Sequence, residues 1–125
     1  MVIGVGTDLI EIARIQQSIT RYGDRFLQRI FTPAEIEYCQ RKKNAAESFA
    51  ARFAAKEAAA KALGTGITHG VTWLEIEVIR KPSGQPVLAL TGRAAHRAHQ
   101  LGVTRTSLSL THSRDTALAV VILES

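Results

Sequence analysis

Apolar and polar positions recur along this chain in two rhythms, one of period two and one close to 3.6. In VIGVGTDLIEI, Val2 to Ile12, residues Ile3, Val5, Thr7 and Leu9 share one face and Val2, Gly4, Gly6 and Asp8 the other, which predicts a strand running into a helix start. Leu9, Ile12, Ile15 and Ile19 then follow helical spacing to Arg21, Gly23 ends that helix, and Asp24 caps a short second one, DRFLQRIF. Thr32-Pro33-Ala34-Glu35 combines a capping box with proline at the first helical position and predicts a helix to Arg41. A basic connection, Arg41-Lys42-Lys43-Asn44, leads to an alanine-rich helix that runs to Leu63, where Gly64 is a natural left-handed stop. Val71 to Arg80 alternates as a strand, turns through Pro82-Ser83-Gly84-Gln85-Pro86 and returns over Val87 to Leu90 as a hairpin. Gly92 to Leu101 reads as a helix closed by Gly102. Val103 to Leu110 and Thr116 to Leu123 read as a final antiparallel pair joined by Thr111 to Asp115, central because Ala117 to Leu123 is apolar on both faces. The fold class is α+β.

Charge interrupts this pattern at two informative places. Along the alanine-rich helix, Phe49, Phe53, Glu57 and Lys61 follow at steps of four and drift only ~40° per step, so two aromatics share a ridge with a carboxylate and an ammonium. A ridge that turns inward carries charges that need a partner or a metal; one that stays outside leaves an ordinary Glu57 to Lys61 surface pair. In the first strand, Gly4 and Gly6 remove side chains beside Asp8, so that another backbone or a ligand can approach that carboxylate. The plainer reading makes Asp8 or Thr7 the cap of the next helix. Arg14, Arg21, Arg25 and Arg29, spaced seven, four and four apart, form one basic edge suited to an acidic helix or a phosphate, or simply to water.

Composition narrows the class. The 125 residues make one domain, 1–125, and their 46% hydrophobic and 22% charged shares are those of a globular chain. No apolar run is long enough to span a bilayer and the N-terminus lacks a signal-peptide pattern, so we expect a cytoplasmic protein without a membrane partner. The single cysteine, Cys39, excludes an internal disulfide and a cysteine metal cage. A formal charge of +5 points to an anionic partner. Aromatics amount to 6% and are not interleaved with Arg and Lys, which disfavours a base-stacking surface. His96 and His99, three apart on a helix without a carboxylate nearby, are expected on the surface.

Asp8 and Glu57 are hard oxygen donors that suit Mg²⁺, an ion usually held by one or two carboxylates together with phosphates and water. Arg52, Lys56 and Lys61 on the long helix, and His112 in a polar turn, are cations able to hold phosphate. The amides of Gly64-Thr65-Gly66 can face one. Neither a Walker loop nor a GxGxxG fingerprint is present.

GVGTDLIEIARI, Gly4 to Ile15, and RFAAKEAAAKALGTGI, Arg52 to Ile67, resemble the two signature blocks of the holo-acyl-carrier-protein synthases, the small class of 4′-phosphopantetheinyl transferases. The resemblance covers the whole chain, including the GxP turn Gly84-Gln85-Pro86. It implies helices on a mainly antiparallel sheet, assembled as a homotrimer with active sites between subunits. The activity implied is transfer of the phosphopantetheine arm of coenzyme A to a serine of an acidic apo acyl carrier protein, in fatty acid biosynthesis, with Mg²⁺ on Asp8 and Glu57. Lys61 matches the lysine near the reacting phosphate, and Glu57, directly or through a water, is the candidate base. Arg52, Phe53, Lys56, Gly64 and Thr65 match positions lining the coenzyme A site; Pro86 and His112 match segments closing it from a neighbour. Arg14, Arg21 and Arg25 match the face that meets the carrier protein. Gln85 departs from the family, where many members carry lysine before the proline, and Lys81 is the nearest substitute. Two alternatives stay open at this point: a basic nucleic-acid-binding module, which leaves Asp8 and Glu57 unexplained, and a metal-dependent phosphohydrolase.

Overall fold

A long helix made largely of alanine can bury its whole circumference only if its neighbours are equally small where they touch it. In the computed structural model, which describes Met1–Ser125, that helix is α4 (Ala45–Ala62), and every alanine from Ala50 to Ala62 is buried. Before it come strand β1 (Val2–Glu11) and helices α1 (Ile12–Tyr22), α2 (Asp24–Ile30) and α3 (Pro33–Gln40). After it come a 3-10 turn at Trp73–Glu75, the hairpin β2 (Ile76–Arg80) and β3 (Pro86–Leu90), helix α5 (Gly92–Leu101), and strands β4 (Arg105–His112) and β5 (Thr116–Glu124). All strand pairs are antiparallel: β5 lies between β1 and β4 in one sheet, and β2 and β3 make a second.

The glycines of β1 are explained by the helix. Gly4 and Gly6 lie on the face that meets α4, and a methyl group on either would overlap a carbonyl oxygen of α4, that of Ala62 for Gly4 and of Ala58 for Gly6. The close approach expected beside Asp8 is thus made by backbone. Opposite them on β5, Ala117, Ala119, Val121 and Leu123 are fully buried and complete the floor under the helix. Gly6→Ala should cost about 1–3 kcal/mol through overpacking, read as a lower urea midpoint, because the strand and helix backbones can make room only by moving apart.

Three expectations change. Leu9 does not begin a helix. β1 continues through Glu11, with Leu9, Ile10 and Glu11 paired to Leu118, Ala117 and Thr116, because a full antiparallel ladder satisfies more backbone groups than one extra helical turn. Asp8 therefore lies mid-strand opposite Ala119 and caps nothing; the residue before α1 is Glu11, which makes no side-chain cap bond. Only Ile76–Arg80 of the expected Val71 to Arg80 strand is extended. Thr72 and Glu75 form a second capping box, with the Thr72 amide donating to Glu75 Oε1 at 2.8 Å, and this closes a 3-10 turn instead. Finally, β4 runs on to His112, placing that residue in a strand opposite Ala117.

Candidate active site

Because Gly6 packs on Ala58, the next inward residue of β1, Asp8, comes beside the next residue back on α4, Glu57. Both carboxylates line one cavity of about 500 Å³, whose other walls include Arg14 and Arg21 from α1, Phe26 from α2 and Phe53 from α4. Lys61 Nζ donates to Asp8 Oδ1 at 3.0 Å and to the Thr7 carbonyl at 3.1 Å. The surface pair available between Glu57 and Lys61 is not made. Instead Trp73 Nε1 donates to Glu57 Oε1 at 3.1 Å, and the Trp73 ring stacks on Phe53, with centroids 6.4 Å apart and planes 29° apart. Each carboxylate thus has one oxygen engaged by the protein and a second that makes no hydrogen bond within it.

A second group of the expected residues gathers elsewhere. Arg52 and His112 line a separate cavity of about 320 Å³ with Tyr38, Lys42, Glu47 and Arg80. Arg52 is only 3% exposed, donates through Nη1 to the Ser48 carbonyl at 3.4 Å, and leaves Nε without a partner. Its guanidinium lies 4.2 Å from the centroid of the Tyr38 ring, with Lys42 and Arg80 at 4.7 and 5.6 Å. Burial works to raise the Tyr38 pKa, but Lys42, Arg80 and Arg52 together hold the phenol below the usual tyrosine range. The potential there is strongly positive. His112 Nε2 meets Glu47 Oε1 at 3.1 Å.

Lys56 requires a correction. It is 0% exposed, its ammonium lies 2.7 Å from Glu35 Oε1, and it donates to the carbonyls of Trp73 at 3.0 Å and Ile76 at 2.7 Å. With all its donors engaged in the core, it is not available to coenzyme A. Burial, the largest influence, holds its pKa below the ordinary lysine value despite the Glu35 charge. The glycine loop also differs from expectation, since the amides of Gly64, Thr65 and Gly66 all donate to carbonyls of the last turn of α4, those of Lys61 and Ala60. They close the helix and do not face a phosphate. Gly64, Thr65 and Pro86 line neither cavity, and Arg25 is exposed on α2 outside the first. His96 and His99 are exposed, as expected.

Sequence reasoning missed Trp73, Tyr38 and the second role of Glu35. The one available signal was the repeat of Thr-x-x-Glu at Thr72 to Glu75, which marks a tight turn that can present Trp73 to α4.

Residues 4–121 match the family model of the 4′-phosphopantetheinyl transferase superfamily. The holo-[acyl-carrier-protein] synthase of Koribacter versatilis is 58% identical over 124 residues, 99% of each chain. Among solved structures, the holo-[acyl-carrier-protein] synthase of Neisseria meningitidis superposes with a TM-score of 0.91 at 35% identity, covering 100% of both chains. The corresponding Helicobacter pylori protein, in complex with coenzyme A, superposes with a TM-score of 0.85 at 32% identity over 96% of this chain and 99% of that one. This chain belongs to the 4′-phosphopantetheinyl transferase superfamily, as an enzyme of its holo-acyl-carrier-protein synthases.

Proposed function

We propose that this protein, acting as one domain in the cytoplasm, moves the 4′-phosphopantetheine arm of coenzyme A onto a serine of an apo acyl carrier protein. The products are holo carrier protein, for fatty acid biosynthesis, and adenosine 3′,5′-bisphosphate. The observation that carries this reading is the convergence of Asp8 from β1 and Glu57 from α4 in one cavity walled by Arg14 and Arg21. No helix is long and apolar enough to cross a membrane.

The donor set fits Mg²⁺. Asp8 and Glu57 each offer a hard oxygen, and no cluster of three or more His, Cys, Asp or Glu forms anywhere. Water and substrate phosphate are left to complete the shell, as this ion commonly requires. When bound, Mg²⁺ supplies charge neutralisation at the coenzyme A pyrophosphate. The remaining work falls to side chains. Lys61, tethered to Asp8 and 53% exposed along its side chain, carries an ammonium that can counter charge developing on the leaving phosphate. Glu57, through its free oxygen or a water, accepts the serine proton. Phe53 gives the cavity an apolar wall. Arg52, with its unpartnered Nε in a positive cleft, suits an anionic part of coenzyme A.

Arg14, Arg21 and Arg25 offer the acidic carrier protein a basic approach. The outward face of β1 exposes Val5 at 57% and Leu9 at 65%, apolar surface that a second copy would cover. That supports self-association, which the family resemblance makes a trimer with the neighbour's Pro86 and His112 closing each site. Lys81, exposed across the turn from Gln85, and Arg80, whose Nη1 donates to the Gly84 carbonyl, are the cations that stand in for the lysine many family members carry there.

The test is intact-mass analysis of apo acyl carrier protein after incubation with the protein, coenzyme A and Mg²⁺. A gain of one phosphopantetheine arm is expected, abolished by a chelator. Loss of coenzyme A without a mass gain would replace transfer by hydrolysis.

A further inference from the structure

We propose that Trp73 is a positioning residue for Glu57, one that keeps this carboxylate from pairing with Lys61 and turns its free oxygen towards the cavity. The inference rests on the reading of Asp8 and Glu57 as the pair that holds a divalent cation. Trp73 is the only tryptophan in the chain. Its indole N–H holds Glu57 Oε1 at 3.1 Å, and its ring stacks on Phe53, one helical turn before Glu57. Its carbonyl accepts from Lys56 Nζ at 3.0 Å. That ammonium is itself fixed by Glu35 at 2.7 Å and by the Ile76 carbonyl at 2.7 Å, while Glu35 Oε2 accepts from the Val78 amide at 2.8 Å. The turn that carries the indole is therefore fastened by its backbone to a fully buried ion pair, while the stack on Phe53 sets the ring beside Glu57.

Without that N–H, Glu57 has an attractive alternative. Lys61 stands four residues on along α4, at the spacing that favours a Glu to Lys pair on a helix surface. Such a pair would occupy the Glu57 carboxylate and draw Lys61 away from Asp8, which it now meets at 3.0 Å. Trp73 holds both carboxylates apart from that arrangement. A second group that orients a ligand in this way characteristically changes metal affinity when it is removed.

The test measures Mn²⁺ binding by electron paramagnetic resonance of the free ion, in the presence of coenzyme A, on the full chain. Trp73→Phe and Trp73→Leu both lack the donor but fill the space differently, and both should weaken Mn²⁺ by about tenfold, although their urea midpoints differ. In a Lys61→Met background the same substitutions should lose much less, because the competing partner is gone. Wild-type affinity in either folded Trp73 variant overturns the inference, and so does a loss that is undiminished in the Lys61→Met background. If the wild type retains no Mn²⁺, or Asp8→Ala retains it undiminished, the metal-site reading itself fails and takes this inference with it.

Discussion

Asp8→Ala and Glu57→Ala should each slow carrier-protein modification by at least about 10²-fold, the scale on which removing one preorganised charge-stabilising group acts. Both side chains converge on the same cavity, and each keeps an oxygen that no protein donor occupies. Neither belongs to the apolar core, so urea midpoints should stay near the wild-type value. The milder Asp8→Asn and Glu57→Gln keep size and hydrogen-bonding capacity while removing charge. If they act through the cation, part of their deficit should be recovered at high Mg²⁺, and what remains in kcat isolates any role of Glu57 in taking the serine proton. The measurement is the time course of the mass shift on apo carrier protein. Rates within a few fold of wild type in both alanine variants would show that the chemistry lies elsewhere.

Lys56→Met should damage the fold severely, with a loss of about 3–5 kcal/mol, the usual cost of leaving one member of a buried ion pair alone. Against a typical total of about 5–15 kcal/mol, that is a large share. The substitution abandons the Glu35 carboxylate in a region 0% exposed at its side chain and releases the carbonyls of Trp73 and Ile76. Those two bonds fasten the 3-10 turn and β2 to α4. The double variant Lys56→Met with Glu35→Met should recover part of the loss, since two apolar groups no longer require each other. Urea denaturation of the two single variants and the pair closes the cycle. A Lys56→Met midpoint equal to that of the wild type would mean that the ammonium is not needed in the core.

What the sequence could and could not disclose follows the range of the interactions involved. The alanine run, Gly64, the Thr32 to Glu35 capping box and the apolar Ala117 to Leu123 segment are local or nearly local signals. The corresponding elements form, with β5 in the centre of its sheet. Asp8 and Glu57 stood out because each lies where a local rule is broken, and they do share a cavity. The signals failed where a local preference met a distant partner. Leu9 has helical spacing to Ile12, yet a ladder to β5 holds it extended.

Lys56 shows the same limit most plainly. In the sequence it is one more cation on a basic helix, next to a candidate ligand. Its fate is set by Glu35 on α3 and by two carbonyls that arrive from the turn and strand after α4. The sequence by itself thus determined most of the element types, the glycines of β1 that admit a close neighbour, and Asp8 and Glu57 as candidates; that α4 is that neighbour and that the two carboxylates share a cavity came with the tertiary structure. Only the tertiary structure decided which cations are free to act. It buried Lys56, tied Lys61 to Asp8, set Arg52 in a separate cleft and placed Trp73 over Glu57, because whether a charge is solvated or paired depends on neighbours that no local pattern contains.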